Sequence, residues 1–224
     1  MNVKVTKNGP YLVSGSVPLH VESIDADAQG DSIAWKETRT FEPREKYALC
    51  RCGESHTKPY CDGTHAKVGF DGTETASKAP FEALSERLEG PTLVLHDAES
   101  LCAFARFCDV AGSVWKLVGE SDDRQSRILA IREAERCPSG RLVMHDARSG
   151  TAFEPVLEKS IGLIEDPVKE CSGPIWVRGG IDVVAEDGTV YPSRNRQTLC
   201  RCGQSQNKPF CDGTHAESRF ADGL

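Results

Sequence analysis

The sequence predicts an α+β protein in three parts. Two small antiparallel β units, at 1–74 and 167–224, each end in a cysteine-rich loop and a short helix, and an α+β segment at 75–166 separates them. Three observations carry this. Cys50-Arg51-Cys52-Gly53-Glu54-Ser55-His56-Thr57-Lys58-Pro59-Tyr60-Cys61-Asp62-Gly63-Thr64-His65 recurs 150 positions later as Cys200-Arg201-Cys202-Gly203-Gln204-Ser205-Gln206-Asn207-Lys208-Pro209-Phe210-Cys211-Asp212-Gly213-Thr214-His215. A Gly-Pro pair followed by a short β-prone run precedes each copy. The stretch between them mixes helical and strand patterns.

In chain order, Gly9-Pro10-Tyr11-Leu12-Val13-Ser14-Gly15 reads as a turn and strand, matched by Gly173-Pro174-Ile175-Trp176-Val177-Arg178-Gly179. Turn residues around Gly30 and at Glu186-Asp187-Gly188-Thr189 join each strand to the next, and Leu49 and Leu199 lead into the cysteine loops. The middle segment opens with Ser77-Lys78-Ala79-Pro80 and a helix to Leu88, stopped by Gly90. A strand is predicted at 91–96, then a helix from Asp97 through Cys102 and Cys108 to Gly112. A further helix at 122–136 would place Ile128, Ile131 and Ala134 on one face, before Cys137-Pro138-Ser139-Gly140 breaks it. A strand at 142–144 turns at Ser149-Gly150.

The repeated spacing, C-x-C-x8-C-x3-H, is a complete four-ligand set: Cys50, Cys52, Cys61 and His65 in the first copy, Cys200, Cys202, Cys211 and His215 in the second. Cysteines one residue apart point to opposite faces of an extended chain, so a tight turn must pinch them together, and Gly53 permits one. Asp62 suits the N-cap of a short helix carrying His65, which places Cys61 and His65 four apart on one helix face. Each motif thus offers two pairs, each able to hold one iron of a [2Fe-2S] cluster; thiolates suit such clusters, and imidazole suits iron and zinc alike.

With Ser55 and Ser205, Pro59 and Pro209, and the Cys-Asp-Gly-Thr-His endings, the two motifs resemble the CDGSH (NEET) iron–sulfur proteins. The resemblance implies two [2Fe-2S] clusters, each with three Cys and one His, the C-x-C pair on the inner iron and the third Cys with the His on the outer one. Single-motif members form homodimers through their β units, so the halves of this chain are expected to pair within a monomer. A structural zinc site with three Cys and one His is the alternative, although fingers use C-x2–4-C rather than C-x-C. Disulfides are weaker still, because ten Cys without a secretory signal point to a reducing compartment.

Cys102, Cys108 and the Cys-Pro at 137–138 resemble divergent single-cluster ferredoxin domains, but no fourth ligand is evident, and Phe104 stands where one could have been. The alternative is a ferredoxin-like fold that has lost its cluster and buries these thiols as small hydrophobes. The three stay outside the expected ligand set. His56 is replaced by Gln206 in the second copy, and His20, His96 and His145 have no partners in register, so structural or surface roles are expected. Trp115 and Trp176 are expected in the core. Arg51 and Arg201 would either offset cluster charge or be solvated.

The net charge of −7 argues against nucleic acid, and no apolar run is long enough for a membrane span. The first thirteen residues show no signal region, so a cytoplasmic protein is expected. No nucleophile elbow or phosphate loop appears, and no enzymatic activity is expected. The expected function is electron transfer, cluster transfer or redox sensing, with a redox partner or apo-acceptor protein. The rival is a structural metal-binding module that recruits a protein partner.

Overall fold

Val3 and Val5 in β1 (Asn2–Val5), and Tyr11 and Val13 in β2 (Tyr11–Ser14), alternate with more exposed neighbours, giving each strand one apolar face. β3 (Leu19–Ala26) and β4 (Ser32–Thr40) follow, then β5 (Lys46–Leu49), the first cysteine loop and α1 (Thr64–Lys67). The middle contributes α2 (Phe81–Leu84), β6 (Glu86–Glu89), β7 (Leu93–Asp97), α3 (Val114–Gly119), α4 (Arg124–Arg136), β8 (Leu142–Asp146) and β9 (Ala152–Phe153). β10 (Ser160–Asp166), β11 (Cys171–Arg178), β12 (Asp182–Val184), β13 (Arg196–Leu199) and α5 (Thr214–Glu217) complete the chain. This computed structural model describes residues 1–224, and its class is α+β as predicted.

The two halves do not form separate β units. One sheet runs β12-β1-β2-β5 and another β13-β11-β10-β3-β4, so the first takes β12 from the second half and the second takes β3 and β4 from the first. β1 runs parallel to β12, and β3 parallel to β10, so both swaps are of the same kind. The reason is physical: a short hairpin alone leaves an apolar face and an open edge, and exchange covers both. Val3, Tyr11, Val13 and Leu49 thereby share one core with Ile161, Ile175, Val183 and Leu199.

Two expected boundaries move. Residues 160–166 were expected to close the central segment, yet they form β10 beside β3. Its first five residues are all buried, as in a strand covered on both faces. Gly173 and Pro174 were expected to turn, but lie inside β11. An irregularity in the β10–β11 register, between Leu163 and Glu165, accommodates the proline.

The central module packs α3 and α4 on the sheet β6-β7-β8-β9, with Leu93, Leu95, Val118, Ala130 and Met144 in its core. The expected helix to Leu88 ends at Leu84 and gives way to β6, paired with β7. Residues 97–112 are not one helix: two 3-10 turns, Glu99–Leu101 and Phe107–Asp109, bracket an irregular loop. Phe104 (φ 54°) and Arg106 (φ 63°) adopt left-handed backbone there. α4 lies where expected, capped by Asp123 Oδ2 accepting from Ser126 N at 2.8 Å. Its buried face is Ala130, Glu133 and Ala134, however, and Ile128 is exposed.

The module docks on the second sheet. Ala105 and Phe107 pack with Ile24, Ile164 and Trp176, and the Trp35 ring lies 4.7 Å from Phe107 and 4.8 Å from Trp176. Arg106 Nη2 donates to both carboxylate oxygens of Asp166, at 2.7 and 2.8 Å. Trp176 is in the core as expected, whereas Trp115 is half-buried and donates to Asp97 at 2.9 Å. No helix is long and apolar enough to cross a membrane.

Candidate metal centres

Each cysteine loop is closed on its lead-in strand by the same bonds. Cys50 N donates to Pro59 O at 2.9 Å and Cys61 N to Ala48 O at 2.9 Å; Cys200 N donates to Pro209 O at 2.8 Å and Cys211 N to Thr198 O at 2.9 Å. Inside the loops, Ser55 Oγ donates to Tyr60 O at 2.6 Å and Ser205 Oγ to Phe210 O at 2.7 Å. Gly53 (φ 81°) and Gly203 (φ 80°) make the turn that brings each C-x-C pair together.

Asp62 does more than cap a helix. Its two oxygens accept from Thr64 N and His56 N, both at 2.9 Å, tying α1 back onto the loop. Those N–H donors hold its carboxyl well below the usual range. Asp212 repeats the arrangement with Thr214 and Gln206. The helix N-cap itself is Gly63 or Gly213.

The eight expected ligands come together as four pairs. Cys50 and Cys52 Sγ lie 3.8 Å apart, as do Cys200 and Cys202 Sγ. Cys61 Sγ lies 3.3 Å from His65 Nδ1, and Cys211 Sγ 3.4 Å from His215 Nδ1. Two thiolates about 2.3 Å from one tetrahedral ion would stand about 3.8 Å apart, so the cysteine pairs already have metal-chelating geometry. Nowhere do three or more His, Cys, Asp or Glu side chains gather closely enough for a single ion. All ten cysteines are free thiols. Glu54 N and Gly63 N point at Cys52 and Cys61 Sγ from 3.4 and 3.5 Å, and Gln204 N and Gly213 N at Cys202 and Cys211 from 3.5 and 3.4 Å. Such N–H donors favour thiolate sulfur.

Electrostatics also fits a bound cation. Burial pushes the Cys52 thiol up to about 11, and raises Cys211 well above its ordinary value. Burial, helped by Arg201, pushes the His215 imidazole down to about 4, so it is neutral and able to ligate at pH 7. A metal supplies the positive charge that makes buried thiolates tolerable.

The two centres differ in cover. Cys211 and His215 are 3 % and 5 % exposed, whereas Cys61 and His65 are half-buried. Arg51 and Arg201 are buried clamps, not solvated groups. Arg201 pairs with Glu165 and Asp222, both at 2.7 Å. Arg51 donates to the carbonyls of Gly72 at 2.6 Å and Thr6 at 3.1 Å, with no carboxylate partner. Tyr11 had no signal in the repeat, since Ile175 stands opposite, yet its hydroxyl sits 2.9 Å from Cys200 O and 3.0 Å from Pro209 O.

The remaining histidines behave as structural or surface groups. His56 is exposed, and the His96 and His145 rings pack against each other in a tilted pair, 4.9 Å between centroids. His20 does have an acidic partner, Glu37 at 3.3 Å across the β3–β4 hairpin, which the sequence did not reveal.

Cys102, Cys108 and Cys137 line one cavity with Phe104, Pro138 and Arg141. None is fully buried, unlike small hydrophobes sealed in a core. Burial, then the neighbouring Cys137 and Cys102, pushes the Cys108 thiol up to about 12. The three thiols thus converge on one cavity, and Phe104 points outward at 43 % exposure rather than joining them.

A family model described as iron-binding zinc finger CDGSH type matches residues 8–66 and 172–216. A second, described as divergent 4Fe-4S mono-cluster, matches residues 88–147. No curated protein and no solved structure matches the chain.

Proposed function

Because the chain carries two CDGSH-type iron-binding domains flanking a divergent ferredoxin-like one, we propose that it is an electron carrier with a [2Fe-2S] cluster in each CDGSH motif. The carrying observation is that each motif presents its ligands as two separate pairs, one per iron. Cys50 with Cys52, and Cys200 with Cys202, hold the inner irons; Cys61 with His65, and Cys211 with His215, hold the outer ones. The bound cluster supplies one-electron chemistry. The protein supplies neutral imidazole in place of a fourth thiolate, which raises the potential above that of an all-Cys cluster. It also supplies N–H donors to sulfur and a closed loop. The chain performs no substrate chemistry of its own. It exchanges electrons, or a cluster, with a redox partner or apo-acceptor protein.

The convergence of Cys102, Cys108 and Cys137 on one cavity supports a third iron–sulfur cluster, bound by three thiolates. The β strands that single-motif relatives pair between chains are paired here within one, which supports a monomer. Ten unpaired thiols suit a reducing compartment such as the cytoplasm.

Iron, sulfide and zinc per chain, with the visible spectrum of anaerobically purified protein, test this. Two motifs with two irons each predict about four irons, and a filled central cavity predicts more. Zinc in place of iron, without sulfide, overturns the redox reading.

A further inference from the structure

The second repeated motif touches both the first motif and the central module. On one side the C-x-C loops meet back to back. A Cβ on Gly53 would fall 2.6 Å from Cys202 O, and one on Gly203 2.5 Å from Cys52 O. On the other side the second motif meets the central module at two places. A Cβ on Gly213 would fall 3.3 Å from Cys102 O and 3.5 Å from Phe104 Cβ, and Asn207 Nδ2 donates to Ser100 O at 2.9 Å. β13, which leads into Cys200, carries the buried Arg196. Its Nη1 donates to Ala134 O at 2.7 Å and to Cys137 O at 2.8 Å, closing the C-terminus of α4 against the second motif. Gly140, in the same turn as Cys137, would place a Cβ 2.7 Å from Arg196 O. The first motif has no such cover: nothing lies within 4 Å of a Cβ built on Gly63, the counterpart of Gly213.

We propose that the second motif is an internal relay, passing single electrons between the exposed first motif and the central thiol cavity. This rests on the reading that all three sites hold iron–sulfur clusters. A reduced one-electron carrier protein loses an electron at the first motif, whose cluster gains it. That cluster is reoxidised as the second gains the electron, and the second is reoxidised as the central one gains it. An oxidised one-electron carrier then takes it from the central cluster. No covalent bond forms or breaks, and the same sequence runs in reverse. Cys211 and His215 are almost wholly buried, whereas Cys61, His65 and the central thiols are each partly exposed, which favours the first motif and the central cavity as the points where external carriers exchange electrons.

Paramagnetic resonance on the full-length protein, with iron and sulfide counted first, provides the test. In fully reduced protein the spin relaxation of the central signal should be enhanced, and the enhancement should be lost at the potential where the second cluster is oxidised to its diamagnetic form. A variant without the first cluster (Cys61→Ser with His65→Ala) should keep the enhancement; one without the second (Cys211→Ser with His215→Ala) should lose it. The redox titration of the unmodified protein gives the answer even if the second variant fails to fold. A central signal indifferent to the second cluster, or one that loses its enhancement with the first, overturns the relay. So does an empty central cavity. Absence of iron and sulfide altogether overturns the carrier function itself, whereas clusters present but uncoupled overturn the relay alone.

Discussion

Gly53 is pressed against Cys202: a methyl group on its α-carbon would sit 2.6 Å from the Cys202 carbonyl oxygen, and Gly203 repeats the contact with Cys52 at 2.5 Å. Both glycines also hold positive φ, so two constraints act on each position.

Gly53→Ala and Gly203→Ala should therefore each destabilise the protein by roughly 2–5 kcal/mol, the sum of left-handed strain and backbone overpacking. Because each glycine faces the other's motif, the double substitution should be non-additive. Gly63→Ala has the same positive φ but open space, and should cost only the strain, about 1 kcal/mol. Chemical unfolding of the three variants checks this. Equal effects at Gly53 and Gly63 would mean the loops do not meet.

Glu133 sets a pH dependence away from the two repeated motifs. It is 2 % exposed, its Oε1 accepts from Ala111 N at 2.8 Å, and its Oε2 has no partner. Burial raises its pKa above the usual carboxylate value. A raised acid pKa means the folded state binds the proton more tightly than the unfolded one. The destabilisation is thus absent below the unfolded value of about 4.3, and grows as pH rises through the folded value. Glu133→Gln should stabilise the protein by about 1 kcal/mol at pH 7, with the gain shrinking toward pH 4. Urea midpoints of both proteins at the two pH values decide it; a gain that grows on acidification contradicts the assignment.

The unequal cover of the two histidines predicts unequal exchange and unequal tuning. An iron chelator should remove iron from the half-buried His65 site before the buried His215 site, with two kinetic phases by visible absorbance. His65→Cys and His215→Cys each add a negative charge at a kept four-ligand site, so each should lower the potential of its own cluster. The fall should be larger at His215, where burial screens the added charge less. Unchanged potentials in both variants would mean that the histidines are not ligands.

The pairing of the motif side chains was legible in the sequence because metal chelation demands fixed residue types at fixed short separations, and such separations survive in the linear chain. Cys50, Cys52, Cys61 and His65, and their four counterparts, all meet in the expected pairs. The α+β class and α4 were legible for the same reason, since periodicity and capping are local. Three things were decided only by the fold. The halves exchange strands because pairing energy and edge protection depend on neighbours distant in sequence, so β10 could not be assigned from residues 160–166 alone. Arg51 and Arg201 are buried clamps because their partners, Gly72 and Asp222, return to them only after the short helices. The second motif is covered and the first open because the single central module can lie against only one of two equivalent loops. Two nearly identical sequences thereby acquire different surroundings, a difference that no repeat unit encodes by itself.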